Sequence, residues 1–74
     1  MLLLSKGVNA LTEIKFFRIK AGKTQEELAK AIGVTQGAVA QWESGITNPK
    51  ISNLKAIAQS LGCTLADLLS KEAG

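Results

Sequence analysis

The 74-residue sequence predicts a small all-α domain of five short helices. Three observations support this. Apolar residues recur three and four positions apart, which places them on one face of a helix. Glycine, or a serine or threonine suited to capping, stands at most boundaries between these segments. No segment shows the convincing alternation of apolar and polar residues that is typical of a strand.

The first predicted helix spans about residues 10–21, and Gly22 is expected to end it. Lys20, in the last turn, suits the negative end of the helix dipole. The apolar stripe of this helix consists of four residues at helical spacing: Leu11, Ile14, Phe17 and Ala21.

The next two helices begin at threonines. Thr24 precedes a glutamate by three residues, the spacing of a capping box, and opens a helix over residues 25–32. Gly33 is expected to end that helix. Thr35 is placed as the N-cap of a third helix that ends near Ser44.

The last two helices follow a loop around Asn48 and Pro49. Ser52 is the expected cap of the fourth helix, which Gly62 ends, and Thr64 is the expected cap of the fifth. The apolar residues are Leu54, Ile57, Ala58 and Leu61 on the inner face of the fourth helix, and Leu65, Leu68 and Leu69 in the fifth.

Composition argues against catalysis. Nine Lys and Arg against six Asp and Glu give a net charge of +3, which tolerates a polyanion without indicating one. The chain has no His, and Cys63, its single cysteine, lies among apolar residues and is expected to be a buried thiol. No grouping supplies a nucleophile with a base or a set of metal ligands. We therefore expect no enzyme, no catalytic residue, no metal and no cofactor.

The termini suggest neither a leader nor an anchor. The apolar run Leu2–Leu4 is too short for a signal sequence, and no stretch is long enough to cross a membrane. We expect a cytoplasmic domain over residues 10–71, with an N-terminal arm over 1–9 and a tail over 72–74. The length leaves no room for a sensor domain, so no small-molecule effector is expected.

The leucines of the arm have two interpretations. Leu2–Leu4 cover Phe16 and Ile19, which fall outside the apolar stripe of the first helix, within one chain or across a dimer. Alternatively, the terminus is frayed.

Residues 25–44 carry the functional signal. The small Ala29 suits a point where two helices cross, and Gly33 can adopt the positive φ that a sharp turn between helices requires. Five apolar residues fix this pair of helices to the remainder of the domain: Leu28, Ile32, Val34, Val39 and Trp42. Trp42 shares a face with Val39 and is therefore expected in the core.

The outer face of the third helix is expected to comprise Gln36, Gly37, Ala40, Gln41 and Ser44. A glutamine amide can pair with N6 and N7 of adenine in the major groove. Small residues between the two glutamines let the helix sit deep in the groove. Gly37 is costly in an exposed helix, which close approach to DNA explains; tolerance of glycine in a first turn is the alternative.

Residues 11–70 resemble the phage Cro and repressor type of helix-turn-helix family. The matching segments are Thr24-Gln25-Glu26-Glu27-Leu28-Ala29, Gly33-Val34-Thr35-Gln36, Gln41-Trp42-Glu43-Ser44-Gly45, Asn48-Pro49 and Leu61-Gly62. The resemblance implies a compact five-helix, lambda-repressor-like domain whose second and third helices form the helix-turn-helix. It also implies a sequence-specific regulator that binds double-stranded DNA as a homodimer, with third helices about 34 Å apart on a near-palindromic operator.

The same resemblance implies roles for individual residues. The base-contacting set is Thr35, through its methyl group, with Gln36, Gly37 and Gln41. The DNA-backbone set is Lys23, Gln25, Ala40, Ser44 and Lys50. Gln25 also braces Gln36. The glycine and alanine of the outer face depart from relatives that often carry polar side chains there, so direct readout depends on few groups.

Two further points stay open from the sequence. The resemblance suggests a partly buried ion pair between Arg18 and Glu43, against the alternative of two solvated charges. The same fold also serves antitoxins, whose main partner is a protein, and controller proteins of restriction systems.

Overall fold

The computed structural model describes residues 13–69, and these contain helices and no strand. The helices are α1 (Ile14–Lys20), α2 (Gln25–Ile32), α3 (Gln36–Ser44), α4 (Ile51–Leu61) and α5 (Leu65–Leu68). The predicted all-α architecture of five helices is confirmed. The predicted arm and tail lie outside the described residues. Among the helices described, none has both the length and the apolar character needed to cross a bilayer.

Threonine caps begin three of the helices, as predicted. Thr24 Oγ1 accepts from the amide of Glu27 at 3.0 Å, and the Glu27 carboxylate accepts from the amide of Thr24 at 2.9 Å. Thr35 caps α3 in the same sense, and Thr64 forms a second capping box with Asp67. Each such cap is worth about 1 kcal/mol, which matters for helices this short.

The predicted start and inner face of α1 need correction. The helix begins at Ile14, because the amide of Glu13 donates to the carbonyl of Leu68 at 2.7 Å and is unavailable to an earlier turn. Ala21, predicted on the apolar stripe, is exposed at the end of the helix. Arg18 lies one turn after Ile14, and it is Arg18 rather than Ala21 that is buried on the inner face of α1.

The predicted cap of α4 was also wrong. The helix begins at Ile51, and Lys50 is its N-cap without a side-chain hydrogen bond. Ser52 lies within the first turn and is exposed. The carbonyl of Lys50 accepts from the amide of Leu54 at 2.9 Å, so the first helical hydrogen bond forms ahead of the serine.

One core joins all five helices. Its buried apolar members are Ile14, Leu28, Ala29, Val39, Trp42, Leu54, Ile57, Ala58, Leu61 and Leu68. Trp42 is a core residue, as predicted. Cys63 is only half-buried, although it packs against this core. Leu69 ends the described chain and is exposed.

Two apolar side chains of α1 remain largely uncovered by the described residues. Phe16 is 56% exposed and Ile19 is 58% exposed. Leu2–Leu4, which we hypothesised to cover them, lie outside the described residues.

Candidate nucleic-acid interface

A helix-turn-helix is formed by α2 and α3. Gly33 ends α2 with φ +78°, a left-handed conformation that costs glycine little. The amide of Val34 then donates to the carbonyl of Ala29 at 2.9 Å, which closes the turn. Ala29 is buried, and its small side chain lets other elements pack closely there. The turn therefore leaves one residue before Thr35 caps the next helix.

The two faces of α3 differ sharply in burial. Val39 and Trp42 point into the core, with 0% and 8% exposure. On the opposite side, Gln36, Gly37, Gln41 and Ser44 are exposed. Ala40 is half-buried, so this part of the outer face is less open than the sequence suggested. The outer face carries no charge, and it therefore presents no repulsion to a polyanion.

Arg18 and Glu43 form an ion pair between α1 and α3. Arg18 Nε donates to Glu43 Oε2 at 2.6 Å, and Nη2 donates to Oε1 at 3.1 Å. The third guanidinium nitrogen donates to the carbonyl of Lys23 at 2.7 Å. The two side chains are only 10% and 5% exposed. The hydrogen bond that Arg18 donates to Glu43 raises the pKa of Arg18, which keeps the guanidinium charged.

Gln25 connects this ion pair to the outer face of α3. Its Nε2 donates to Glu43 Oε1 at 2.9 Å, while its Oε1 accepts from Gln36 Nε2 at 2.7 Å. The expected brace between the two glutamines is thus present. Sequence reasoning missed the bond to Glu43. The signal was the carboxylate itself, because an oxygen paired with arginine retains lone pairs for a second donor.

Gly37 is not required by the packing of the chain. A Cβ placed there would meet only Thr35 Oγ1, at 3.9 Å. Its backbone φ is not positive, in contrast with four other glycines of the chain. No contact among the described residues therefore explains a glycine at this exposed helical position.

The other predicted contact residues occupy different surroundings. The hydroxyl of Thr35 is engaged in capping α3. Ser44 Oγ donates to the carbonyl of Gln41 at 3.3 Å. Lys50 is exposed ahead of α4, and no described hydrogen bond links its side chain to α3. Lys23 is half-buried near the start of α2.

A groove beside the start of α2 brings several predicted contact residues together. It is lined by Arg18, Ile19, Gly22, Lys23, Thr24, Gln25, Glu26 and Gln36. Backbone amides of the first turn of a helix have no acceptor within the helix. Those of Gln25 and Glu26 find none elsewhere among residues 13–69 either. The groove can therefore offer hydrogen-bond donors to an anion.

Fold and site together define a helix-turn-helix protein with a polar outer face on its third helix. The helix-turn-helix family model matches residues 14–68. The chain belongs to this family, in its Cro and repressor type.

Two curated relatives and one solved structure illustrate the membership. The chain is 38% identical over 60 residues to the transcriptional activator BcrR of Enterococcus faecalis, covering 78% of the chain and 29% of that protein. It is 30% identical over 59 residues to the phage CTXphi repressor RstR of Vibrio cholerae, covering 80% of the chain and 53% of that protein. The chain thus spans about a third to a half of these two relatives.

The solved structure is that of the phage P22 c2 repressor in complex with a synthetic operator. The identity is 36% and the TM-score is 0.73, covering 80% of this chain and 89% of that one. The two relatives are thus named as an activator and a repressor of transcription, and the P22 c2 repressor was solved on operator DNA.

Proposed function

We propose that the protein recognises a specific double-stranded DNA sequence by docking α3 in the major groove. The observation that carries this proposal is the outer face of α3, where exposed glutamines flank small residues while Val39 and Trp42 hold the opposite side in the core. Glutamine amides suit the adenine edge in the major groove. The residues assigned to base edges are Thr35, Gln36, Gly37 and Gln41.

The DNA backbone would contact the surroundings of α3. The residues assigned to it are Lys23, Gln25, Ala40, Ser44 and Lys50. The two lysines supply charge, while free amides at the start of α2 suit a phosphate oxygen. Support comes from the groove that holds Lys23, Gln25 and Gln36 together.

The protein would act as a homodimer on a near-palindromic operator, with two copies of α3 about 34 Å apart. Large apolar side chains that are exposed among residues 13–69 support the association of two copies of the chain. They are Phe16, Ile19, Ile46, Ile51 and Leu69. Such residues are costly to leave in water when they are contiguous. Repression or activation would then depend on where the operator lies relative to a promoter.

The test is selection of bound sites from random duplex DNA at two salt concentrations, together with sedimentation of the protein alone. We expect a near-palindromic motif, affinity that falls with salt, and a dimer. No enrichment of any motif would contradict the proposal. Copurification of a stoichiometric second chain would instead favour an antitoxin.

A further inference from the structure

The hydrogen bonds that link Glu43 to Gln36 through Gln25 all have one fixed donor direction. A carboxylate only accepts, so Gln25 must face Glu43 with its Nε2, at 2.9 Å. The Oε1 of the same amide then faces Gln36, at the start of α3. Gln36 meets that oxygen with its own Nε2, at 2.7 Å. The Oε1 of Gln36 is left without a partner among the described residues.

The Glu43 carboxylate, with which this series of hydrogen bonds begins, is held in place and can only accept. The Glu43 side chain is 5% exposed, and both of its oxygens accept from Arg18, at 2.6 and 3.1 Å. Reversing the Gln25 amide would place its oxygen against the carboxylate. Reversing the Gln36 amide alone would place two amide oxygens together. Either reversal sets two acceptors against each other, and at the partly buried bond between Gln25 and Glu43 this loss is costly.

We propose that Glu43, acting through Gln25, makes the base pair read by Gln36 select adenine over guanine. This inference rests on the proposed docking of α3 in the major groove. Gln36 has one free acceptor, Oε1, and one free N–H, because the other N–H is held by Gln25. Adenine offers a matching N6 donor and N7 acceptor, whereas guanine offers two acceptors, O6 and N7. Glu43 is a positioning residue for this choice and touches no base.

Gln41 is the natural comparison within the same helix. Its side chain is exposed, and no described residue forms a hydrogen bond with its side-chain amide. That amide is free to turn toward either kind of base edge. The base choice at the pair read by Gln41 should therefore be independent of Glu43.

The experiment is site selection from random duplex DNA with the full chain and three variants. Gln36→Ala identifies the base pair that Gln36 reads. Gln25→Met removes both hydrogen bonds of the Gln25 side chain, to Glu43 and to Gln36. It keeps the length of the side chain and the ion pair between Arg18 and Glu43. Glu43→Gln replaces the carboxylate with an amide that presents either oxygen or nitrogen to Gln25. The readout is the ratio of adenine to guanine at the identified pair, which cancels any general loss of affinity.

We expect the unaltered protein to favour adenine by about tenfold or more, and both Gln25→Met and Glu43→Gln to reduce the ratio to within about threefold. The preference at the pair read by Gln41 should not move. A merely structural role would lower both preferences together, which would overturn the inference. Gln25→Met leaves the ion pair between Arg18 and Glu43 in place. Persistence of the adenine preference in this variant would therefore overturn the inference too.

Failure of the proposed function has a different signature. If the unaltered protein selects no sequence, sequence-specific recognition itself is wrong and the inference fails with it. If a motif is selected but Gln36→Ala relaxes none of its base pairs, the inference fails and sequence-specific binding stands.

Discussion

The carboxylate of Glu43 accepts from two nitrogens of Arg18, at 2.6 and 3.1 Å, and so ties the last turn of α3 to α1. Both charges are removed from water, with side chains 10% and 5% exposed. A buried pair of this kind is costly to break from one side, because the remaining charge has no partner.

Arg18→Met should therefore lower the free energy of unfolding by about 3–5 kcal/mol, as measured by urea denaturation. Replacing both residues, with Arg18→Met and Glu43→Leu together, should recover part of that loss. Equal or greater loss in the double variant would contradict the interpretation of a charge left unpaired.

Gly37→Ala should separate stability from binding. Because a Cβ at Gly37 meets nothing closer than 3.9 Å, the change should leave stability equal or raise it by up to about 1 kcal/mol. Affinity for the selected DNA site should nevertheless fall, since the added methyl group would separate α3 from the groove. Melting and titration of the same preparation test both statements.

Gly33→Ala is the matched control for this substitution. Its surroundings are also open, but its φ of +78° strains any residue with a side chain. It should lose about 1–2 kcal/mol of stability. If Gly37→Ala left the affinity for DNA unchanged, close approach of α3 to the DNA would no longer explain the glycine at position 37.

Lys50→Ala should weaken binding to all sequences alike and flatten the slope of log affinity against log salt by roughly one unit, if it meets a phosphate. Lys20→Ala is the control of equal charge, because Lys20 lies in a groove with Leu61, Cys63 and Asp67 rather than beside α3. A slope changed equally by both variants would indicate a general charge effect and not a contact.

Cys63 should react slowly with alkylating reagents at neutral pH. Burial, and secondarily the nearby Asp67, raises the pKa of its thiol. A raised pKa favours the protonated thiol in the folded chain. The stability it contributes is therefore present below the ordinary thiol pKa and is lost as pH rises through the raised one.

The measurement is the rate of alkylation against pH, for the folded and the urea-unfolded chain. The folded chain should show the higher midpoint, and Asp67→Asn should lower it only part of the way. Equal midpoints for the folded and the unfolded chain would contradict the statement that burial raises the pKa of the Cys63 thiol.

Two helix caps were predictable from the sequence alone, whereas the start of α1 was not. The caps at Thr24 and Thr35 depend on amides three residues away, so the sequence contains the whole interaction. The start of α1 depends instead on Leu68, whose carbonyl holds the amide of Glu13.

The candidate site divides in the same way. The outward direction of Gln36 and Gln41 follows from the helical period, given Val39 and Trp42 in the core. The bond from Gln25 to Glu43 depends on how α2 and α3 cross. No local pattern encodes that distance.

The central claim is that the glutamines of α3 read bases. Its most direct test is the affinity of Gln36→Ala and Gln41→Ala for the preferred site and for random DNA of equal length. Each substitution should cost about 1–3 kcal/mol on the preferred site and far less on random DNA. Equal losses on both DNAs would contradict base readout by these residues.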